Sequence, residues 1–135
     1  MNRAKIFYAS YGLYVVAKTI YTMTNIALNS LENVHIGAWK DVCPQDVMLL
    51  VADVNYTKIY FNDGKKMTVA TSLKELQHRF NTPEFFRIHK SYLVNLHFVE
   101  EFNQDTIRMS NNVNVTLARR RKTAFKEVWR NEIST

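Results

Sequence analysis

A succession of short β-forming runs, separated by turn residues, begins near Val34 and constrains the fold more than any other feature of the chain. Residues 47–54, apolar apart from Asp53, form a run of the kind expected for a buried strand. The Asn-Asp-Gly sequence at 62–64 signals a turn, because Asn and Asp tolerate a left-handed backbone and Gly adopts it freely. Tyr56, Ile59 and residues 60–61 form the strand that leads into this turn, and Met67 and Val69 supply the returning strand of the hairpin. These runs predict a β-rich domain.

A second pair of strands is predicted nearer the C-terminal end. Ile107 and Met109 alternate with polar residues, and Val115 and Leu117 alternate in the same way further along. The Asn-Asn pair at 111–112 between them is suited to a two-residue hairpin turn. The pattern therefore predicts a β-hairpin in this part of the chain.

Helical patterns are few. Ser72 and Glu75 form a capping box, in which the serine side chain accepts a hydrogen bond from an amide of the first helical turn. Leu73, Leu76 and Phe80 lie on one face of the short helix that this predicts, and the following Asn-Thr-Pro sequence ends it. A terminal helix is indicated by three apolar residues at helical spacing: Phe125, Val128 and Trp129.

The N-terminal part of the chain has a different character. Residues 1–31 contain no Asp or Glu, and their tyrosines and aliphatic residues recur at a rough 3.6-residue spacing. We therefore expect residues 1–31 to be a helical segment that serves as an interface or a regulatory element, and residues 32–135 to be the folded domain. Lys18 and several polar residues interrupt the apolar stretch, so neither a signal peptide nor a membrane span is expected.

Composition excludes several classes of protein. The single cysteine, Cys43, cannot form an internal disulfide and favours a reducing, cytoplasmic location. Three glycines leave no material for a phosphate-binding loop, and the four histidines never fall at metal-ligand spacing, so we expect no enzyme activity, metal or cofactor. Lys and Arg outnumber Asp and Glu by 18 to 12, which favours a polyanionic partner.

Three clusters combine cations with side chains suited to hydrogen-bonding base edges. They are residues 55–58, 87–91 and 119–122. Each has a structural alternative: Asn55 and Tyr56 can cap a strand end and pack a ring, His89 can be a hydrogen-bonded core histidine, and the last cluster can be a solvated helix start. The helix dipole disfavours cations at a helix N-terminus, so the cations of the last cluster favour the interpretation that they bind an external anion.

Residues 85–95, Phe-Phe-Arg-Ile-His-Lys-Ser-Tyr-Leu-Val-Asn, resemble the signature of the LytTR family of bacterial DNA-binding domains, which is close to F-F-R-x-H-R-S-Y-L-V-N. Flanking motifs follow in the family's order and spacing: Asn-Tyr-Thr at 55–57, Asp-Gly-Lys at 63–65, Leu-Lys-Glu-Leu at 73–76 and three arginines at 119–121. The similarity spans residues 34–130. It implies a mainly β fold, an elongated arrangement of small antiparallel sheets with a short helix, whose loops and strand ends enter successive major grooves.

The resemblance also implies which residues contact DNA. Base contacts are expected from Asn55, Tyr56, Lys58, Lys90 and Arg120. Phosphate contacts are expected from Arg87, Ser91, Arg119, Arg121 and Lys122. Lys90 stands where arginine is commoner in the family, and Ala118 where serine is usual. Four residues of the motif are expected in the core: Phe86, Tyr92, Leu93 and Val94.

The expected function is sequence-specific binding of double-stranded DNA by a response-regulator-like transcriptional regulator, which is either stand-alone or a fragment of a larger regulator. Two copies are expected to bind as a homodimer at repeated half-sites, since one domain offers few base contacts among many competing sites. Residues 1–31 would form the dimer interface, dock on a membrane partner or bind a regulatory protein; the contrary possibility is that they complete the core of the domain. No small-molecule substrate is expected. The alternative is a protein-interaction module on the same fold that sequesters another regulator.

Overall fold

The computed structural model describes residues 32–133, and within them it shows three antiparallel sheets and two α-helices. The strands are β1 (Val34–Gly37), β2 (Lys40–Val42), β3 (Val47–Asp53), β4 (Tyr56–Phe61), β5 (Lys66–Val69), β6 (Phe85–His89), β7 (Tyr92–Asn95), β8 (Val99–Asn103), β9 (Thr106–Met109) and β10 (Asn114–Thr116). The helices are α1 (Leu73–Arg79) and α2 (Lys122–Ile133). The mainly β prediction is confirmed. The helix expected within residues 1–31 lies outside the described residues.

Both predicted hairpins are present. β4 and β5 pair across the Asn-Asp-Gly turn, where the Asp63 carboxylate accepts a hydrogen bond from the amide of Lys65 at 2.9 Å. β9 and β10 pair across the Asn-Asn turn, where Asn112 takes the left-handed backbone with a φ of 66°. The apolar run at 47–54 is shorter as a strand than predicted, because β3 ends at Asp53 and Val54 lies in the next turn.

A five-stranded sheet, in the order β5-β4-β3-β7-β6, separates two hydrophobic cores. Successive residues of a strand point to opposite faces, and the neighbours Leu93 and Val94 of β7 accordingly belong to different cores. On one face the sheet packs against α1 and the β1–β2 hairpin, which contributes Ile36. On the other it packs against the three-stranded sheet β8–β10 and against α2, whose Phe125 is fully buried.

Both helices follow their predicted patterns. Ser72 caps α1, since its hydroxyl oxygen accepts a hydrogen bond from the Glu75 amide at 3.1 Å. The apolar face of this helix is buried: Leu73, Leu76 and Phe80. In α2 the buried Phe125 stacks on the Trp129 ring, with 6.1 Å between ring centroids. The sheet therefore has a helix fixed on each face.

The topology gathers two turns at one end of the five-stranded sheet. β3 is antiparallel to both β4 and β7, so the β3–β4 turn and the β6–β7 turn both lie beyond the C-terminal end of β3. Val51 of β3 lies opposite Tyr92, and the Ala52 amide donates a hydrogen bond to the Ser91 carbonyl at 2.8 Å. These contacts fix the two turns relative to each other.

Candidate nucleic-acid interface

The β3–β4 turn carries the first cluster on its surface. Asp53 and Tyr56 pair across it, which leaves Val54 and Asn55 as the two residues of the turn. Val54 is 93% exposed and Tyr56 is 53% exposed, while Asn55 is also exposed. The ring of Tyr56 is thus not packed into the core. The turn presents an amide, a phenol and an apolar side chain to solvent.

Lys58 lies two residues beyond Tyr56 in β4 and has an internal partner. Its ammonium group lies 3.2 Å from a carboxylate oxygen of Asp53, and both side chains are about half exposed. An exposed ion pair of this kind contributes only about 0–1 kcal/mol, so exchanging it for a contact with DNA costs little. The pair also neutralises the carboxylate nearest to the turn.

Arg87 holds the β6–β7 turn in place. Its guanidinium donates one hydrogen bond to the His89 carbonyl at 2.8 Å, one to the Lys90 carbonyl at 2.6 Å and one to the side chain of Gln77 at 2.6 Å. These contacts use three of its five N–H groups, which leaves two. Partial burial and the nearby positive charge of Arg121 lower the pKa of Arg87 from its ordinary value. The guanidinium joins the turn to α1.

His89 completes the internal bonding of this turn. Its Nδ1 accepts a hydrogen bond from the Ser91 amide at 3.0 Å, so Nδ1 carries no proton and the neutral ring is protonated at Nε2. The ring is partly exposed and lies 5.3 Å from the Tyr92 ring between centroids. The hydrogen-bonded histidine considered from the sequence is therefore present, but at the edge of the domain and not in its core.

Lys90 is the exposed residue at the tip of the same turn. No residue in the described range 32–133 forms an ion pair with its ammonium group. The backbone of Lys90 is held by Arg87 while its side chain extends into solvent. Ser91 beside it is partly buried. This turn therefore offers one long cation from a fixed backbone.

The third cluster lies beside β6. The Ala118 amide donates a hydrogen bond to the Ile88 carbonyl at 2.8 Å, and a 3-10 turn over Arg119–Arg121 follows directly. All three arginines are exposed, and the Arg121 guanidinium lies 5.9 Å from the centroid of the Phe86 ring. Among the described residues no carboxylate pairs with any of them. The sequence predicted a helix start here, and the helix begins one residue later.

Lys122 differs from the three arginines because it has an internal anion. Its ammonium group pairs with the carboxylate of Asp105, in the turn between β8 and β9. The Leu117 amide also donates a hydrogen bond to the Asp105 carbonyl at 2.8 Å. The first residue of α2 is thus joined to the three-stranded sheet.

The three clusters form one row across the end of the five-stranded sheet. Neighbouring strands are about 4.8 Å apart, so the centres of the β3–β4 and β6–β7 turns are roughly 10 Å apart, with the arginine turn roughly 7 Å further on. This row brings together all the residues that the sequence predicted to contact DNA. Five of its cations have no carboxylate partner among residues 32–133: the partly buried Arg87, whose hydrogen bonds go to carbonyls and to Gln77, and the exposed Lys90, Arg119, Arg120 and Arg121.

Two exposed apolar side chains were not singled out from the sequence. Val54 lies in the row just described, and Trp39 is 98% exposed in the β1–β2 turn. Both have a left-handed backbone, with φ of 55° and 60° respectively. No periodic pattern marks such residues, because hydrophobic alternation assigns apolar side chains to cores. Their exposure follows from their positions in the β3–β4 and β1–β2 turns.

Other kinds of site are not formed by the part of the chain that the structure describes. No three His, Cys, Asp or Glu side chains within it are grouped so that they could hold a metal ion. No helix within the same residues is long and apolar enough to cross a membrane.

A β-rich domain with a row of unpaired cations on turns has the features of a nucleic-acid-binding domain. The family model of the LytTr DNA-binding domain matches residues 37–130. The chain therefore belongs to the LytTR family of DNA-binding domains, a non-catalytic family that binds DNA in transcription regulation.

A solved structure supports the same fold. The chain is similar to the LytTr DNA-binding domain of a putative methyl-accepting/DNA response regulator from Bacillus cereus. The two are 21% identical with a TM-score of 0.58, over 72% of this chain and 94% of the other. No curated protein matches this chain.

Proposed function

We propose that the protein regulates transcription by reading a specific sequence of double-stranded DNA through its turns and strand ends. The observation that carries the proposal is the row of exposed cations at one end of the five-stranded sheet. Lys90 and the three arginines that follow Ala118 have no carboxylate partner among the described residues. Phosphates of a duplex would neutralise them.

The shape of the row suits a major groove. The groove is about 12 Å wide and admits a two-stranded β-ribbon, and two of the three clusters lie on turns between adjacent antiparallel strands. The row is roughly 17 Å long by the same strand spacing, which exceeds the width of one groove, so we propose that its loops and strand ends extend into successive major grooves. The remainder of the sheet stays outside the DNA.

Base reading is proposed for the side chains at the centre of each cluster. Lys90 and Arg120 are long, exposed donors suited to guanine O6 and N7, and Asn55 is suited to adenine. Tyr56 and Lys58 lie beside Asn55 and complete the contacts of the first turn. Because Lys90 carries a point charge in place of a planar fork, it fixes the geometry of its base contact less tightly than arginine does.

Phosphate contacts are proposed for the residues that flank these positions. Arg119 and Arg121 are exposed and have no carboxylate partner among the described residues, and Ser91 supplies a hydroxyl. Arg87 and Lys122 first position the turns through their internal partners, and they meet phosphate with the N–H groups that remain. Their contribution to phosphate binding is accordingly the smaller one.

We further propose that two copies bind neighbouring half-sites about one or two helical turns apart. Three small clusters offer little direct readout against roughly a million or more competing positions, and a tethered second copy doubles the specific contacts. The acid-free, tyrosine-rich residues 1–31 are the proposed interface between the copies. We place the folded DNA-binding unit at residues 32–135.

Selection of bound sites from random duplex DNA tests the proposal. The full chain should enrich one sequence, recurring as two half-sites, and its affinity for that sequence should fall steeply with salt. A chain that enriches no sequence would contradict specific DNA recognition. Enrichment of a single, unrepeated half-site would contradict only the proposed dimer.

A further inference from the structure

Val54 combines two features that the packing of the domain does not explain. Its side chain is 93% exposed, so no core contact requires valine at this position. Its φ is 55°, in the left-handed region, where a β-branched residue is rare and strained. Apolar exposure and backbone strain thus coincide at one residue.

The turn that contains Val54 normally carries a different residue. Val54 has a positive φ and the following Asn55 does not, which is the pattern of a type II′ hairpin turn. Glycine is the usual residue at the first central position of that turn, because it has no Cβ. Valine at this position costs stability, and its side chain gains no packing in return.

The position of Val54 points to its use. It directly precedes Asn55 and Tyr56 at the tip of the β3–β4 turn, in the row of cations proposed to face DNA. The only apolar group that a base presents in the major groove is the C5-methyl of thymine. If the turn enters that groove, the exposed side chain of Val54 can contact the methyl group of a thymine. The amide of Asn55 beside it can then hydrogen-bond the adjacent base.

We propose that Val54 is a specificity-determining residue that packs against a thymine C5-methyl in the bound sequence. This inference rests on the proposed function, since it requires the β3–β4 turn to enter the major groove. Contact with the methyl group removes apolar surface of both partners from water, which gives the turn a preference for thymine over cytosine.

The test replaces each thymine of the selected site in turn with deoxyuridine, which lacks only the C5-methyl. For the wild-type chain, replacement at one or two positions should weaken binding by about three- to five-fold, the effect of burying one methyl group. In Val54→Ala and Val54→Gly the same replacements should have no effect on binding. Equal sensitivity of wild type and both variants to deoxyuridine would overturn the proposal.

Measurements of thermal stability distinguish a role of Val54 in contacting thymine from a role in stabilising the fold. Val54→Gly should raise Tm by roughly 2–6 °C, because it relieves the strain at φ 55°, while its binding of the selected site weakens. Ala38→Gly is the matched control, an exposed turn residue with the same φ of 55°. It should keep the thymine dependence of the wild type. A lower Tm for Val54→Gly would show that valine supports the fold and would overturn the proposal.

The same experiment distinguishes the two proposals. Failure of the wild-type chain to select any sequence removes the proposed function and, with it, the role of Val54. Selective binding without any thymine dependence overturns the role of Val54 and leaves the proposed function standing.

Discussion

Residues of one type have different roles in this interface. Arg87 and Arg120 are both arginines of predicted DNA-contacting clusters, yet Arg87 donates to two backbone carbonyls and to Gln77, whereas Arg120 has no carboxylate partner among the described residues. The same contrast separates Lys122, which pairs with Asp105, from Lys90. The proposed role of each charged residue therefore depends on the internal partners that it already has.

Replacing Arg87 with lysine should separate the effect of its positive charge from the effect of its hydrogen bonds to the turn. Arg87→Lys keeps the positive charge but loses the planar fork that bonds the carbonyls of His89 and Lys90. We expect the affinity for the preferred site to fall about ten-fold, the cost of one or two charge-assisted hydrogen bonds, with an unchanged salt slope. Arg119→Lys is the control and should change affinity little. Wild-type affinity in Arg87→Lys would show that the fork does not position the turn.

Base contacts and phosphate contacts should respond differently to truncation. Lys90→Ala and Arg120→Ala should each weaken binding of the preferred site by roughly 1–3 kcal/mol, and random duplex much less. Arg121→Ala should weaken both duplexes about equally, since phosphates carry no sequence information. Titration of each variant with both DNAs measures the difference. The assignment is contradicted if all three variants lose the same amount on both duplexes.

At the scale of elements, the third cluster is held by two different contacts. The Ala118 amide bonds to β6, and Lys122 at the start of α2 pairs with Asp105 of the β8–β9 turn. The arginine turn between them is therefore supported by both sheets. Its position relative to the β6–β7 turn depends on these long-range contacts, and not on the sequence of the arginine turn itself.

Salt titration should distinguish the contribution of Lys122 to phosphate binding from that of Arg119, which lies three residues earlier in the same cluster. Arg119→Ala should make the slope of log K against log salt shallower by about 0.9, the contribution of one phosphate. Lys122→Ala should change the slope by less, and it should lower the free energy of unfolding by about 0.2–1 kcal/mol through loss of the partly exposed pair with Asp105. Asp105→Asn provides the control, with a similar loss of stability. Equal slope changes in the two alanine variants would place Lys122 among the phosphate contacts.

The whole molecule carries a formal net charge of +6. Within the described residues, the row at one end of the sheet holds four exposed cations without a carboxylate partner: Lys90, Arg119, Arg120 and Arg121. If the row neutralises about four to six phosphates, log K should fall against log salt with a slope of roughly −4 to −5. Filter binding or fluorescence anisotropy over a range of salt concentrations measures this slope. A flat response with duplex DNA would remove the proposed interface altogether.

Deleting residues 1–31 tests the proposed assembly. The described domain has its own two cores, so the 32–135 fragment should remain folded and bind one half-site weakly. It should lose cooperativity between half-sites, because the proposed dimer interface is absent. Sedimentation and binding to paired half-sites measure both properties. An unfolded or aggregated fragment would mean that residues 1–31 complete the core of the domain instead.

Much of the fold could be predicted from the sequence because its signals are local. Alternation of apolar residues, the turn residues at 62–64 and 111–112, and the capping box at Ser72 each act over a few residues, and all appear in the structure where expected. The motif at 85–95 also indicated the family and the clusters that we propose to contact DNA. The end of β3 at Asp53 was missed, since an apolar residue in a turn gives the same local pattern as one in a strand.

By itself, therefore, the sequence determined the β-rich architecture, the hairpins, α1 and the family, all of which depend on neighbouring residues. Only the tertiary structure decided which cations have internal partners and which are exposed without one among the described residues. Arg87 meets Gln77 ten residues away, and Lys122 meets Asp105 of another turn. Pairing of β3 with both β4 and β7 brings the first two clusters to one end of the sheet, and the left-handed φ of Val54 follows from the turn that this pairing closes. Strand pairing and these side-chain contacts join residues that are far apart along the chain. They therefore produce no periodic pattern within any short stretch of sequence.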